Sequence, residues 1–162
     1  MKRFLALYIF FLCGLYIVFY APTSNISTMF NDLQTKLTLF VLNLFLKPQQ
    51  LQGMDIWINP DYKIIITKAC NGIIPILFLW ASIFAYPSKI SSKILWSIIG
   101  YIVFFGVNIV RILWVVYITE TGDGQREFYW AHDLVGNTLL LLTGLVFFIL
   151  FIKTSNNTFK NL

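Results

Sequence analysis

Three groups able to do chemistry together are scattered along the chain: a thiol at Cys70, a guanidinium at Arg111 and the single imidazole, His132. A free thiol titrates near about 8.5, and its thiolate is the nucleophile. An imidazole moves protons near neutral pH, toward a leaving amine or from an attacking group. A buried cation favours a neighbouring anion, so a guanidinium beside the thiol lowers its pKa and also suits a developing oxyanion. Arg111 is the conspicuous member, because it interrupts the apolar run "GVNIVRILWVVYI", Gly106 to Ile118. Arginine at the centre of a bilayer costs about 2.5–3.5 kcal/mol on insertion scales, and an anionic partner offsets part of that. Cys13, in the middle of another apolar run, reads as a small hydrophobe.

The solvent for these groups follows from composition. Of 162 residues, 58% are apolar and 12% are charged, about half the charge of a soluble domain. One integral membrane domain, 1–162, is expected, all-α in class. A crossing helix needs about 20 mostly apolar residues, and four runs qualify, at about 4–21, 72–86, 94–118 and 134–152. Lys2 and Arg3 precede the first, Lys89 and Lys93 lie between the second and third, and Lys153 and Lys160 follow the fourth. Four crossings put these basic sites on one side, which the positive-inside rule makes cytoplasmic. Both termini are then cytoplasmic, in a multi-pass protein of the inner or plasma membrane. The net charge of +5 encodes that topology rather than a nucleic-acid partner. No cysteine and histidine spacing suits a metal, and no cofactor is expected.

The outer side then holds a long loop, 22–69, and a short one, 119–131. In the long loop, apolar residues recur with helical spacing from Ile26 to Phe45. This reads as an amphipathic helix lying on the outer membrane surface. A fifth span through Leu37–Leu46 is the other reading, and it would carry Lys89 and Lys93 outside. "MDIWINPDYKIIIT" reads as a short β-hairpin turning at Asn59-Pro60-Asp61.

The topology gathers the reactive groups. Cys70 enters the second span from outside, His132 enters the fourth, and Arg111 lies seven residues before Ile118, about 10 Å down the third. The thiol also stands where the first helical N–H groups carry partial positive charge. The N–H groups of Asn71 and Gly72 can donate to a tetrahedral oxyanion, and Gly72 lets a carbonyl come close. The result is a cysteine acyl-transfer site facing the exterior.

These residues resemble a known family. "ACNGIIP" at 69–75, "NIVRI" at 108–112 and "AHDLVG" at 131–136 are similar, in order and spacing, to the motifs of the exosortase/archaeosortase family, in a compact form. Asn71 stands where serine is common in that family. The resemblance implies a membrane cysteine transpeptidase. Its substrates are exported proteins with a C-terminal sorting signal: a motif, a transmembrane helix and a basic end. The acyl acceptor is not given by the chain. Carried over, Cys70 is the nucleophile, Arg111 steadies thiolate or oxyanion, and His132 is the general acid/base. Asn108, three residues before Arg111 on one helix face, orients it or a water.

Two rival functions predict different sensitivities. A small membrane transporter that binds an anion at Arg111 needs that residue and not Cys70. A non-catalytic membrane assembly factor tolerates single changes at all three.

Overall fold

The computed structural model describes residues 2–22, 24–122 and 128–160. The middle of the expected short loop at 119–131 therefore lies outside the described residues. Five helices dominate: α1 (Lys2–Phe19), α2 (Asn25–Asn43), α3 (Ile73–Ala85), α4 (Ile90–Thr121) and α5 (Asn137–Lys160). A single 3-10 turn, Lys68–Asn71, precedes α3, and a π-helical turn, Trp130–Gly136, leads into α5. α1, α4 and the continuous Trp130–Ser155 helix are long and apolar enough to cross a membrane. The protein is a mostly helical, multi-pass membrane protein.

The second expected crossing, 72–86, is shorter still in the structure. α3 has 13 residues, about 20 Å of helix against a hydrocarbon core of about 30 Å. Gly72, at φ 68°, ends the 3-10 turn and starts α3, a backbone region that glycine enters freely. At its other end α3 stops at Ala85, before the extended Tyr86 and Pro87, as proline disfavours helix in the residue before it. α4 is the long element, with 32 residues. One half packs on α3 and α5 through Phe104, Leu79, Ile83 and Phe147. The other half, from Ile109 to Val116, packs under the sheet.

The expected hairpin is present and gains a third strand. β1 (Leu51–Gln52), β2 (Asp55–Asn59) and β3 (Tyr62–Ile65) form an antiparallel sheet in that order. Ile56 faces Ile64 across β2 and β3, and the β2–β3 turn has Asp61 N–H donating to Asn59 Oδ1 at 3.0 Å. Ile56, Ile64 and Ile66 are buried against Leu42, Val115 and Val116, so the sheet rests on α4 and the end of α2. A small sheet is marginal alone, and this burial is what supports it.

α2 matches the expected helix but turns the opposite way to a helix of a soluble protein. Its buried side chains are Ser27, Asn31, Gln34, Thr38 and Leu42, while Met29 and Leu33 are 75% and 61% exposed. Part of the polar stripe is paired inside, although Asn31 Oδ1 and Thr38 Oγ1 are buried without a hydrogen-bond partner. Asn31 Nδ2 donates to Phe19 O at 3.0 Å, Gln34 Nε2 donates to Asn71 O at 3.3 Å, and the Tyr101 hydroxyl donates to Gln34 Oε1. The apolar stripe faces outward, as suits a helix solvated by lipid. Gln34→Ala strips two buried groups of their partner and should cost about 1–3 kcal/mol. It should lower the unfolding midpoint in detergent well below that of Leu33→Ala, whose outward side chain is worth about 0.5 kcal/mol or less.

Candidate active site

The turn that carries Cys70 is held from three sides. Thr67 precedes it, and its carbonyl accepts from Cys70 N–H at 2.9 Å. On the α2 side, Asn71 Nδ2 donates to Thr35 Oγ1 at 2.8 Å. From α4, Asn108 Nδ2 donates to Cys70 O at 2.8 Å. Gly72 is what lets Asn108 in, since a Cβ there would stand 3.1 Å from Asn108 Cγ. The close approach that Gly72 allows is therefore already occupied by Asn108. The Asn71 side chain points to α2, away from the thiol.

The sequence reading brought Cys70, Arg111 and His132 to one end of the bundle, and the fold brings all three to one cavity. Cys70 Sγ lies 4.0 Å from His132 Nε2 across 62 residues of sequence. Cys70, Arg111 and His132 line the same void of about 10 Å³, with Ile64, Ile66 and Phe128 among its walls. That is about the room of one water molecule. The His132 ring stacks on Phe128, centroids 5.0 Å apart, which sets its plane. The π-helical turn carries His132, and such turns recur at functional sites.

Arg111 is 3% exposed. Nη1 donates to Asn108 Oδ1 at 3.2 Å, and Nη2 to His132 O at 3.5 Å and Asn137 Oδ1 at 3.4 Å. The guanidinium thus ties α4 to the His132 turn and to the start of α5, and reaches the Cys70 turn through Asn108. Gly136 makes space for it, because a Cβ there would fall 2.5 Å from Arg111 Nε. Arg111 also lines a second cavity of about 660 Å³ between α1, α3 and α5. That cavity is walled by apolar side chains and ends at Lys68, Gly72 and Asn137.

Burial pushes the Cys70 thiol up, but hydrogen bonds from His132 and Thr67 outweigh it, and the net shift is downward. The sequence reading looked to Arg111 for this push; here His132 and Thr67 supply it. A lowered thiol pKa keeps the thiolate present at lower pH, and removing the cause must raise the titration. Iodoacetamide alkylation of Cys70 should therefore show a midpoint below the ordinary thiol value of about 8.5. In His132→Ala that midpoint should rise, and an unmoved midpoint would remove His132 from the role.

Sequence reasoning missed Asn137, Thr67 and Phe128. Asn137 is five residues after His132, a spacing that brings residues together only on a π turn, which composition does not announce. Thr67 was within reach, as Ser and Thr favour the position before a helical turn. Among the described residues, no three His, Cys, Asp or Glu side chains cluster as metal ligands.

Comparison with known proteins adds one match. A family model described as transmembrane exosortase matches residues 2–151. No curated protein and no solved structure matches the chain. The match covers nearly the whole chain, including the Cys70 turn, the Arg111 helix and the His132 turn, and the chain belongs to the transmembrane exosortase family.

Proposed function

We propose that the protein is an intramembrane cysteine transpeptidase that processes exported proteins bearing a C-terminal sorting signal on the outer face of the membrane. The observation that carries this reading is the thiol–imidazole contact of 4.0 Å beside a buried guanidinium. His132 takes the proton of the Cys70 thiol, and the thiolate attacks the carbonyl carbon of the cut bond, moving negative charge to its oxygen. Collapse breaks the C–N bond, and the leaving amine takes its proton from His132. The acyl group then stands as a thioester on Cys70. An acceptor hydroxyl, amine or water attacks it, His132 takes the acceptor's proton, and the thiolate leaves.

In this reading Arg111 offsets the charge of thiolate and oxyanion, holds the His132 turn directly and steadies the Cys70 turn through Asn108. Asn108 and Asn137 position Arg111, and Gly72 and the Asn71 side chain keep the Cys70 turn in register. The short α3 fits a substrate that is itself a transmembrane helix. With Pro87 at one surface, about 20 Å of helix sets Cys70 below the opposite one, where such a substrate presents the end of its span. The apolar cavity between α1, α3 and α5 supports an approach from within the lipid. The test is intact mass measurement of the enzyme purified from its own host membranes. A hydroxylamine-labile protein adduct on Cys70 is expected, and its absence under all conditions of active processing sinks the reading.

A further inference from the structure

The void that Cys70 itself lines holds about 10 Å³, too little for a peptide. An incoming chain must therefore come alongside the thiol, and one edge of the sheet already leads there. β3 is the outer strand of the β1-β2-β3 order. Ile66 N–H bonds Met54 O at 2.8 Å, and Ile64 pairs with Ile56, so residues 64 and 66 turn their backbone groups toward β2. In an antiparallel ladder the residues between them point the other way. The N–H and C=O groups of Lys63 and Ile65 thus face away from the sheet. Ile65 O accepts from the Cys70 thiol at 4.0 Å, a bond that ends when the thiol ionises, so this edge runs up to the nucleophile. Side chains agree with the alternation: Ile64 and Ile66 are buried, while Ile65 is 50% exposed.

We propose that the free edge of β3 is the docking strand for the substrate segment that carries the cut bond, bound in extended form by strand addition. This rests on the acyl-transfer reading above and adds how the substrate is held. Backbone bonds to Lys63 and Ile65 align the segment, and its next carbonyl reaches Cys70. Alternate side chains of the segment fall on the Ile64 face, against α4 and Phe128, or on the exposed Ile65 face. Recognition of this kind favours a short motif with apolar residues on one face and polar residues on the other.

Proline at Lys63 removes an edge N–H that the β2 ladder does not use, so the two functions of the strand separate. The probe is the host's own precursor, measured as the Cys70-linked adduct in enzyme from host membranes. Lys63→Pro should reduce the adduct about tenfold, with iodoacetamide alkylation of Cys70 unchanged. Should Lys63→Pro also lose alkylation, a benzoylphenylalanine photo-cross-linker at position 63 decides. It must capture the same precursor that Cys70 carries, at residues flanking the cut bond. A different protein, no cross-link, or full adduct formation in Lys63→Pro overturns strand docking. Loss of the adduct from the unmodified enzyme would instead overturn the acyl-transfer reading.

Discussion

Alanine at Cys70 is expected to abolish processing, by a factor of about a thousand or more, and serine is expected not to rescue it. The reason is chemical rather than architectural. The groups that hold the turn act on its backbone and on Asn71: Asn108 Nδ2 bonds the Cys70 carbonyl, and Thr67 accepts from its N–H. Both bonds survive the substitution. The lost sulfur is a small apolar contact in the cluster with Ile64, Ile66 and Ile112, so the unfolding midpoint in detergent should move by only about 1 kcal/mol of stability. Serine fails because His132 and Thr67 draw down the pKa of a thiol, whereas a hydroxyl starts far above it. The shorter C–O bond also retracts the nucleophile from His132, already 4.0 Å from sulfur. Processing is read as the mass of precursors in host membranes. The result separates the rivals: an Arg111-based transporter keeps its function in Cys70→Ala, and an assembly factor keeps it in all three single variants. Near-normal processing in Cys70→Ala would end the enzyme reading.

The meeting of Cys70, Arg111 and His132 was readable from the sequence because membrane topology is a coarse code. Lysines and arginines at chain ends and links, with no knowledge of packing, bring Cys70, Arg111 and His132 to one end of the bundle, and the fold gathers them there. What the code omits is direction. The period of α2 was plain, yet a period does not say which face turns inward. In water the apolar stripe of a helix packs on the protein. In lipid the hydrophobic drive between helices vanishes and polar contacts hold helices together, so Asn31 and Gln34 face the Cys70 turn and Leu33 faces out. β1 escaped notice because two residues, Leu51 and Gln52, carry no alternation to detect. The brevity of α3 was legible, because Asn71 and Gly72 on one side and Pro87 on the other bound a short apolar run. Asn137 was hidden by the π turn, whose altered hydrogen bonding leaves no mark in residue type.

Gly136 tests whether the position of Arg111, and not only its charge, matters. A Cβ at 136 meets Arg111 Nε at 2.5 Å and Ala131 O at 3.0 Å, so one of them must move. Ala131 O belongs to the backbone of the π turn, and Arg111 is the tip of a side chain, so Arg111 gives way. The acceptors Asn108 Oδ1, His132 O and Asn137 Oδ1 stand at 3.2–3.5 Å from it, and a shift of about 1 Å breaks these bonds. Asn108 then loses its hold from Arg111 while still bound to the Cys70 carbonyl, so the disturbance reaches the nucleophile. Misplacement on that scale costs about a hundredfold in rate, and Gly136→Ala should lose processing by that factor. Iodoacetamide should still alkylate Cys70, because the contact with His132 does not run through Gly136. Gly106→Ala is the matched control: it sits in α4 near Arg111, its Cβ meets nothing within 4 Å, and its rate should stay within about twofold, as for a surface change of 0.5 kcal/mol or less. If Gly136→Ala also processes at the unmodified rate, the guanidinium acts from a range of positions, and its hydrogen bonds to Asn108 and Asn137 are scaffolding rather than part of the catalytic geometry.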